Sequence, residues 1–246
     1  MIKEQVFIIG AQRCGTTYLN KVLDSHPEIQ LTRPVRPEPK FFLNESEFQK
    51  GREYYENKYF SALPSQVKVI GEKGTSYIEH PVVIQRIQDF YPQAKVLVVL
   101  RNPVERALSN YFFSHENGLE TRSIDEVFLK QTPPPPLKIQ TSVAPFDYLE
   151  RGIYHHYLKP YTQKFKNKIK IILFDELFSR AETYIEVYDF LNVQNSFVSE
   201  HMNKKINPTL SRENSVIDPE IYRKLTAYFE PHNKALEQFL GRKTNW

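Results

Sequence analysis

Val6-Phe7-Ile8-Ile9-Gly10-Ala11-Gln12-Arg13-Cys14-Gly15-Thr16-Thr17 decides how this chain folds. Four apolar residues stopped by Gly10 read as a strand buried on both faces, the kind found in parallel sheets. Past the turn, Tyr18, Leu19, Val22 and Leu23 recur at helical spacing until His26-Pro27 ends the helix. A Gly-x4-Gly loop therefore joins a strand to a helix. Backbone N–H groups of such a turn and of the helix N-terminus present a concave donor surface to a phosphate, and Thr16 and Thr17 add hydroxyls. A nucleotide triphosphatase carries Lys directly after the second glycine, to reach the β- and γ-phosphates. Here that position is Thr16, and the basic residue stands earlier, at Arg13. A glycine-rich turn with nothing bound would read the same, so the rest of the chain has to decide.

Working outward, Val67–Gly71 reads as a second strand, a helix runs from Pro81 to about Phe90, and Lys95–Leu100 (KVLVVL) is the clearest buried strand. A helix follows Pro103, Ile169–Phe174 (IKIILF) is a fourth strand, and helices are expected over Arg151–Lys164, Ala181–Leu191 and Pro219–Leu240. Strands alternating with helices predict an α/β fold: one domain over residues 1–246, a central parallel sheet flanked by helices, and ligands at the carboxyl ends of the strands. Gln131–Pro136 (QTPPPP) cannot continue a helix and reads as part of a loop or lid around residues 131–146.

Composition narrows the class. The 246 residues are 40% hydrophobic and 25% charged, which excludes disorder, collagen-like repeats and coiled coil. Thirty-three Lys and Arg against 29 Asp and Glu leave a net charge of +4. That is too mild for a dedicated nucleic-acid binder, but enough to favour an anionic ligand where the charge clusters. One cysteine makes no internal disulfide, no apolar run approaches the ~20 residues that span a bilayer, and the N-terminus enters a strand without a signal-peptide pattern. The expectation is a cytoplasmic enzyme, with the oligomeric state not readable.

After KVLVVL comes Arg101-Asn-Pro-Val-Glu-Arg-Ala-Leu-Ser109. An arginine at the strand end and a serine two turns into the next helix can reach one anion, the first as a fork and the second as a single donor. Pairing of Arg101 with Glu105 or Glu72 is the plainer alternative. A kinase would favour a magnesium-binding Asp after such a strand, and this strand ends in Arg.

The two segments GAQRCGTT and RNPVERALS resemble the phosphate-binding signatures of sulfotransferases that use 3′-phosphoadenosine-5′-phosphosulfate (PAPS). YLERGIYHHYLKPY, IKIILFDEL and the C-terminal stretch from Asp218 to Trp246 are similar to blocks of the bacterial and heparan-sulfate-type branch. The resemblance implies a P-loop-kinase-like sulfotransferase fold, with Arg13, Cys14, Gly15, Thr16 and Thr17 around the 5′-phosphosulfate and Arg101 with Ser109 on the 3′-phosphate. It implies that Glu38, in Pro37-Glu-Pro-Lys-Phe-Phe42, is the general base, that Lys40 stands where some relatives carry His, and that Lys73, in Gly71-Glu-Lys73, lies near the transferring group. Arg212 matches an arginine that touches the nucleotide.

The chemistry agrees with that assignment. In-line sulfuryl transfer depends on positioning and charge stabilisation, a carboxylate takes the acceptor's proton, and cations at Arg13 and Lys73 meet the charge growing on the leaving oxygen. No metal ligands stand out, so no Mg²⁺ requirement is expected. Plainer readings exist for each residue. Glu38 sits in a charged, proline-rich stretch where most carboxylates are solvated, and Lys73 could form an exposed ion pair of little worth. Phe41-Phe42 and Tyr54-Tyr55 read as core or groove wall. Lys and Arg of residues 33–40, with the aromatics at 54–60, could line a groove for an oligosaccharide or a small polar acceptor. His155 and His156 point about 100° apart on a helix and are poor partners for one metal. Cys14 reads as a loop filler rather than a nucleophile. Two other classes stay open: a small-molecule P-loop kinase, with Asp175 as magnesium ligand, and a non-catalytic module that binds nucleotide or glycan.

Overall fold

A computed structural model describes residues 3–136, 144–202 and 217–246. Arg212 and the segment 137–143 of the expected proline-rich lid lie outside the described residues; Gln131–Pro136 is irregular chain. Five strands, β1 (Glu4–Gly10), β2 (Ile29–Leu31), β3 (Val69–Lys73), β4 (Lys95–Leu100) and β5 (Ile169–Leu173), form one sheet in the order β2-β3-β1-β4-β5. Every pairing is parallel. The helices are α1 (Thr16–Asp24), α2 (Glu45–Phe48), α3 (Gly51–Phe60), α4 (Pro81–Phe90), α5 (Pro103–Glu116), α6 (Ile124–Phe128), α7 (Tyr154–Phe165), α8 (Glu176–Ser179), α9 (Glu182–Leu191) and α10 (Pro219–Leu240). The expected α/β architecture with a central parallel sheet is what the chain adopts.

The chain divides into two compact units. Met1–Leu100 with Leu158–Ile206 holds the whole sheet. Val6, Ile8 and Ile9 of β1 and Val96–Leu100 of β4 are fully buried, as strands covered on both faces must be. At Gly71 a Cβ would fall 2.1 Å from the Val6 carbonyl oxygen, so only glycine lets β3 lie this close to β1.

The second unit, Arg101–Tyr157 with Asn207–Trp246, is helical among its described residues. Its core gathers Val104, Leu108, Tyr111 and Phe112 of α5, Phe128 of α6, and Ile221, Leu225 and Phe229 of α10. The helix starts are written in the sequence. Asn102 accepts from the Val104 amide at 2.9 Å, Pro103 takes the first helical position, and Asp218 and Pro219 repeat the device at α10. Ser123 and Glu126 form a reciprocal capping box on α6.

Three details depart from the sequence expectation. β3 starts two residues later than expected and continues through Glu72 and Lys73, both buried. Charged residues read as the exit from a strand, and here the strand carries them inward. β2 spans three residues, too few to show a period. The segment expected to give groove-wall aromatics forms α3, whose helical turn sends Tyr55 and Phe60 into the core and leaves Tyr54 and Tyr59 half-buried.

Candidate active site

The loop after β1 is shaped by left-handed backbone. Arg13 has φ 68° and Gly15, at the N-cap of α1, has φ 85°, with no side chain capping the helix. An L side chain at Gly15 would be strained and would press its Cβ to 3.0 Å from the Phe174 ring. The loop is anchored by Ala11, whose amide donates to the Val99 carbonyl at 2.8 Å, and by the Cys14 amide donating to Ala11 at 3.2 Å. Cys14 is fully buried with its thiol 3.6 Å from the Gln12 carbonyl, which fits the loop-filler reading. Thr16 is buried, while Arg13 and Thr17 are half-buried.

β3 brings a lysine to this loop. Lys73, paired across the sheet with Ile8, is 3% exposed. Its Nζ donates to Glu38 Oε1 at 2.7 Å and lies 3.5 Å from Thr17 Oγ1. The exposed-ion-pair reading of Lys73 is therefore overturned, and so is the solvated reading of Glu38, which is held from several sides. The Thr75 amide donates to Glu38 Oε2 at 3.0 Å, and the Thr75 hydroxyl lies 3.0 Å from each carboxylate oxygen. Burial pushes the Lys73 ammonium below the usual lysine range, Glu38 opposes that, and the charges of Arg36 and Lys40 push it further down.

The segment that carries Glu38 is fixed by its neighbours. The Phe41 amide donates to Glu72 Oε1 at 3.2 Å and the Phe42 amide to Tyr77 Oη at 3.1 Å, while the Tyr77 hydroxyl donates to Glu72. Phe41 and Phe42 are fully buried, with ring centroids 4.7 and 5.2 Å from Tyr55. They are core, not groove wall. Lys40 has φ 50° and its carbonyl accepts from the Leu43 and Asn44 amides at 3.0 Å, closing the turn after Glu38. Burial lifts the Glu72 carboxyl to about 7.

In the second unit, Arg101 directly follows β4, and its guanidinium meets Glu105 at 3.4 Å, one of the two partners expected on plainer grounds. Ser109 lies four residues beyond Glu105, hence on the same face of α5, and is buried. The Tyr154 hydroxyl donates to the Arg101 carbonyl at 2.8 Å and fixes the backbone there. His155 and His156 lie with ring centroids 4.3 Å apart, and His232 lies 5.9 Å from His155. Among the described residues no group of three His, Cys, Asp or Glu is placed to hold a metal. Asp175, the magnesium candidate of the kinase reading, is exposed at the start of α8.

The structure thus brings together Thr17, Glu38 and Lys73, with Thr75 as a member that no motif announced. Its only sequence signal is its place two residues past Lys73 in a Gly-Thr-Ser turn. An uncapped helix start, two left-handed residues and a buried ammonium suit an oxygen-rich anion, so the residues fit the phosphosulfate end of the expected donor. A carboxylate beside that ammonium can accept a proton from a nucleophile attacking the same anion.

A profile of the sulfotransferase domain matches residues 3–215. The chain is 24% identical, over 98% of its length and 73% of the other protein, to heparan sulfate glucosamine 3-O-sulfotransferase 5 of Mus musculus. It is 26% identical over 96% of its length to the bifunctional heparan sulfate N-deacetylase/N-sulfotransferase 1 of Caenorhabditis briggsae, of which it spans 30%. Among solved structures, a sulfotransferase from Alicyclobacillus acidocaldarius superposes with a TM-score of 0.76 at 25% identity, covering 99% of this chain and 98% of that one.

Proposed function

The chain belongs to the sulfotransferase-domain family and is a PAPS-dependent sulfotransferase, and we propose that Glu38 is the general base of its reaction, with a carbohydrate hydroxyl or amine as acceptor. The observation that carries this reading is the 2.7 Å contact between Glu38 and the buried Lys73, 3.5 Å from Thr17 of the phosphate loop. Backbone N–H groups of Gly15, Thr16 and Thr17, with the threonine hydroxyls and Arg13, hold the 5′-phosphosulfate. Arg101 and Ser109 hold the 3′-phosphate. The donor supplies an activated sulfuryl group. Glu38 takes the proton from the attacking acceptor atom, and Lys73 and Arg13 meet the charge that develops on the leaving phosphate oxygen. Lys40, with Arg36, lowers the proton affinity of Lys73 and adds positive charge beside the base.

A buried ion pair is a poor investment in stability, because desolvation of both charges offsets their attraction. Its placement next to an anion loop is better explained by chemistry than by folding. The carbohydrate acceptor is supported by relatives named as a heparan sulfate glucosamine 3-O-sulfotransferase and a heparan sulfate N-deacetylase/N-sulfotransferase. The reaction is proposed to need no divalent metal, since fixed cations already surround the leaving oxygen.

Glu38→Gln keeps the shape and removes the base. Transfer should fall by about 10²–10⁴, the usual worth of general base catalysis. Calorimetric affinity for 3′-phosphoadenosine-5′-phosphate should stay within about threefold. A variant that still transfers at the parental rate removes Glu38 from the role. Tighter binding of ATP with Mg²⁺ than of 3′-phosphoadenosine-5′-phosphate would instead favour a kinase, and activity lost to EDTA and restored by Mg²⁺ would refute the metal-free reaction.

A further inference from the structure

Lys73 has two claims on it. Its ammonium is bonded to Glu38 at 2.7 Å and faces the Thr17 hydroxyl of the phosphate loop at 3.5 Å. A donor phosphosulfate in that loop draws on the ammonium that also binds Glu38, and the three N–H groups of Lys73 are then shared between two anions. A second set of donors that the loop does not share keeps the base aimed when the donor arrives.

We propose that Thr75 is that second set: a positioning residue that holds the Glu38 carboxylate in place and ionised while Lys73 turns to the donor. Its amide donates to Oε2 at 3.0 Å and its hydroxyl lies 3.0 Å from both oxygens, so it grips the carboxylate from the end of β3, independently of the lysine. The turn that presents it is itself fixed. The Gly74 amide donates to the Ile8 carbonyl of β1 at 3.0 Å and the Tyr77 amide to the Gly74 carbonyl at 2.9 Å. A Cβ at Gly74 would fall 2.5 Å from the Tyr77 ring, so the turn leaves no room for a side chain there. From the other side, Glu72 and Tyr77 hold the amides of Phe41 and Phe42. The carboxylate is thus gripped at its head by Thr75 while its own backbone is gripped three and four residues on.

This inference rests on Glu38 acting as the base, and the experiment separates the two. Thr75→Val removes the hydroxyl at nearly constant shape and leaves the amide; Thr75→Ser restores a hydroxyl. For Thr75→Val, kcat should fall about tenfold, the worth of one charge-assisted hydrogen bond. The acid limb of the kcat–pH profile should move to higher pH, because a carboxylate that loses a donor holds its proton more tightly. Donor KM should not change, and Thr75→Ser should recover both kcat and the limb. A merely structural role would lower kcat without moving the limb. Parental kcat and an unmoved limb in Thr75→Val, or a displaced donor KM with kcat intact, would overturn the inference. If those results come with an inactive Glu38→Gln, the base assignment stands and only Thr75 falls. If Glu38→Gln is fully active, both fall. Should Thr75→Val fail to fold, Thr75→Ala carries the same readouts.

Discussion

Arg101 has a partner already, and magnitudes decide what that means. A part-exposed ion pair is worth about 0.2–1 kcal/mol, and this one is stretched to 3.4 Å with both side chains part-exposed. A hydrogen bond from a guanidinium to a phosphate is worth about 1.5–3 kcal/mol. A 3′-phosphate would therefore win Arg101 from Glu105. Arg101→Ala should weaken 3′-phosphoadenosine-5′-phosphate by roughly 10- to 150-fold in calorimetry, and should leave adenosine 5′-phosphate, which lacks the 3′ group, nearly unchanged. Equal losses for both ligands would place Arg101 elsewhere. The same weighing explains which residues a sequence can expose. Glu38 and Lys73 were legible through the segments around them. Thr75 was not, because a threonine in a turn has many local uses and only its distance to Glu38 singles one out.

At the scale of elements, the helix starts were the most legible features. Pro81, Pro103 and Pro219 each open a helix where the fixed ring geometry and missing N–H cost nothing. α3 was missed because its ten residues mix charges and aromatics around the whole circumference, so no single apolar stripe announces it. The glycine turn between β1 and α1 was legible by spacing, and its geometry makes a sharp demand. Gly15 occupies the left-handed region at the entry to α1, with an aromatic ring 3.0 Å from where a Cβ would stand. Gly15→Ala should lower unfolding stability by about 1–2 kcal/mol, the cost of a left-handed L residue. The amides of α1 would then be misaimed, so affinity for 3′-phosphoadenosine-5′-phosphate should fall together with the denaturation midpoint. A variant with parental stability and affinity would show that the loop relaxes freely.

For the molecule as a whole, the buried Glu72 writes a pH dependence into global stability. Its carboxyl lies at about 7 in the folded chain, against 4.5 when exposed. Between those values the folded state holds a proton that the unfolded state has released, so stability falls as pH rises through that window and levels off above it. The gap corresponds to at most about 3 kcal/mol. Glu72→Gln imitates the protonated form and should flatten the curve: urea unfolding from pH 5 to 7.5 should show wild type losing stability relative to the variant as pH rises. Parallel curves would mean Glu72 ionises without cost. The sheet class was legible at this scale because strands and helices alternate. The burial of two adjacent charges in β3 was not, because local pattern treats charge as surface, and a catalytic site breaks that rule.

An all-parallel open sheet leaves two rims, and a rim is where a neighbouring molecule can add a strand. Here one rim is β2, only three residues long. The other is β5, five residues long, with Lys170 tied to Glu186 of α9 beside it. A rim of three residues offers too short a template to zip up a foreign strand, and a charged lysine on the other penalises a partner that would have to strip its water. Of the strands rich in Val, Ile and Leu, β4 (KVLVVL) lies in the interior, where both sides are already taken, while β5 (IKIIL) is a rim whose only charge is Lys170. The arrangement that places the loop after β1 at mid-sheet also keeps β4, the longest run of Val and Leu among the strands, away from an edge where a second copy could stack on it.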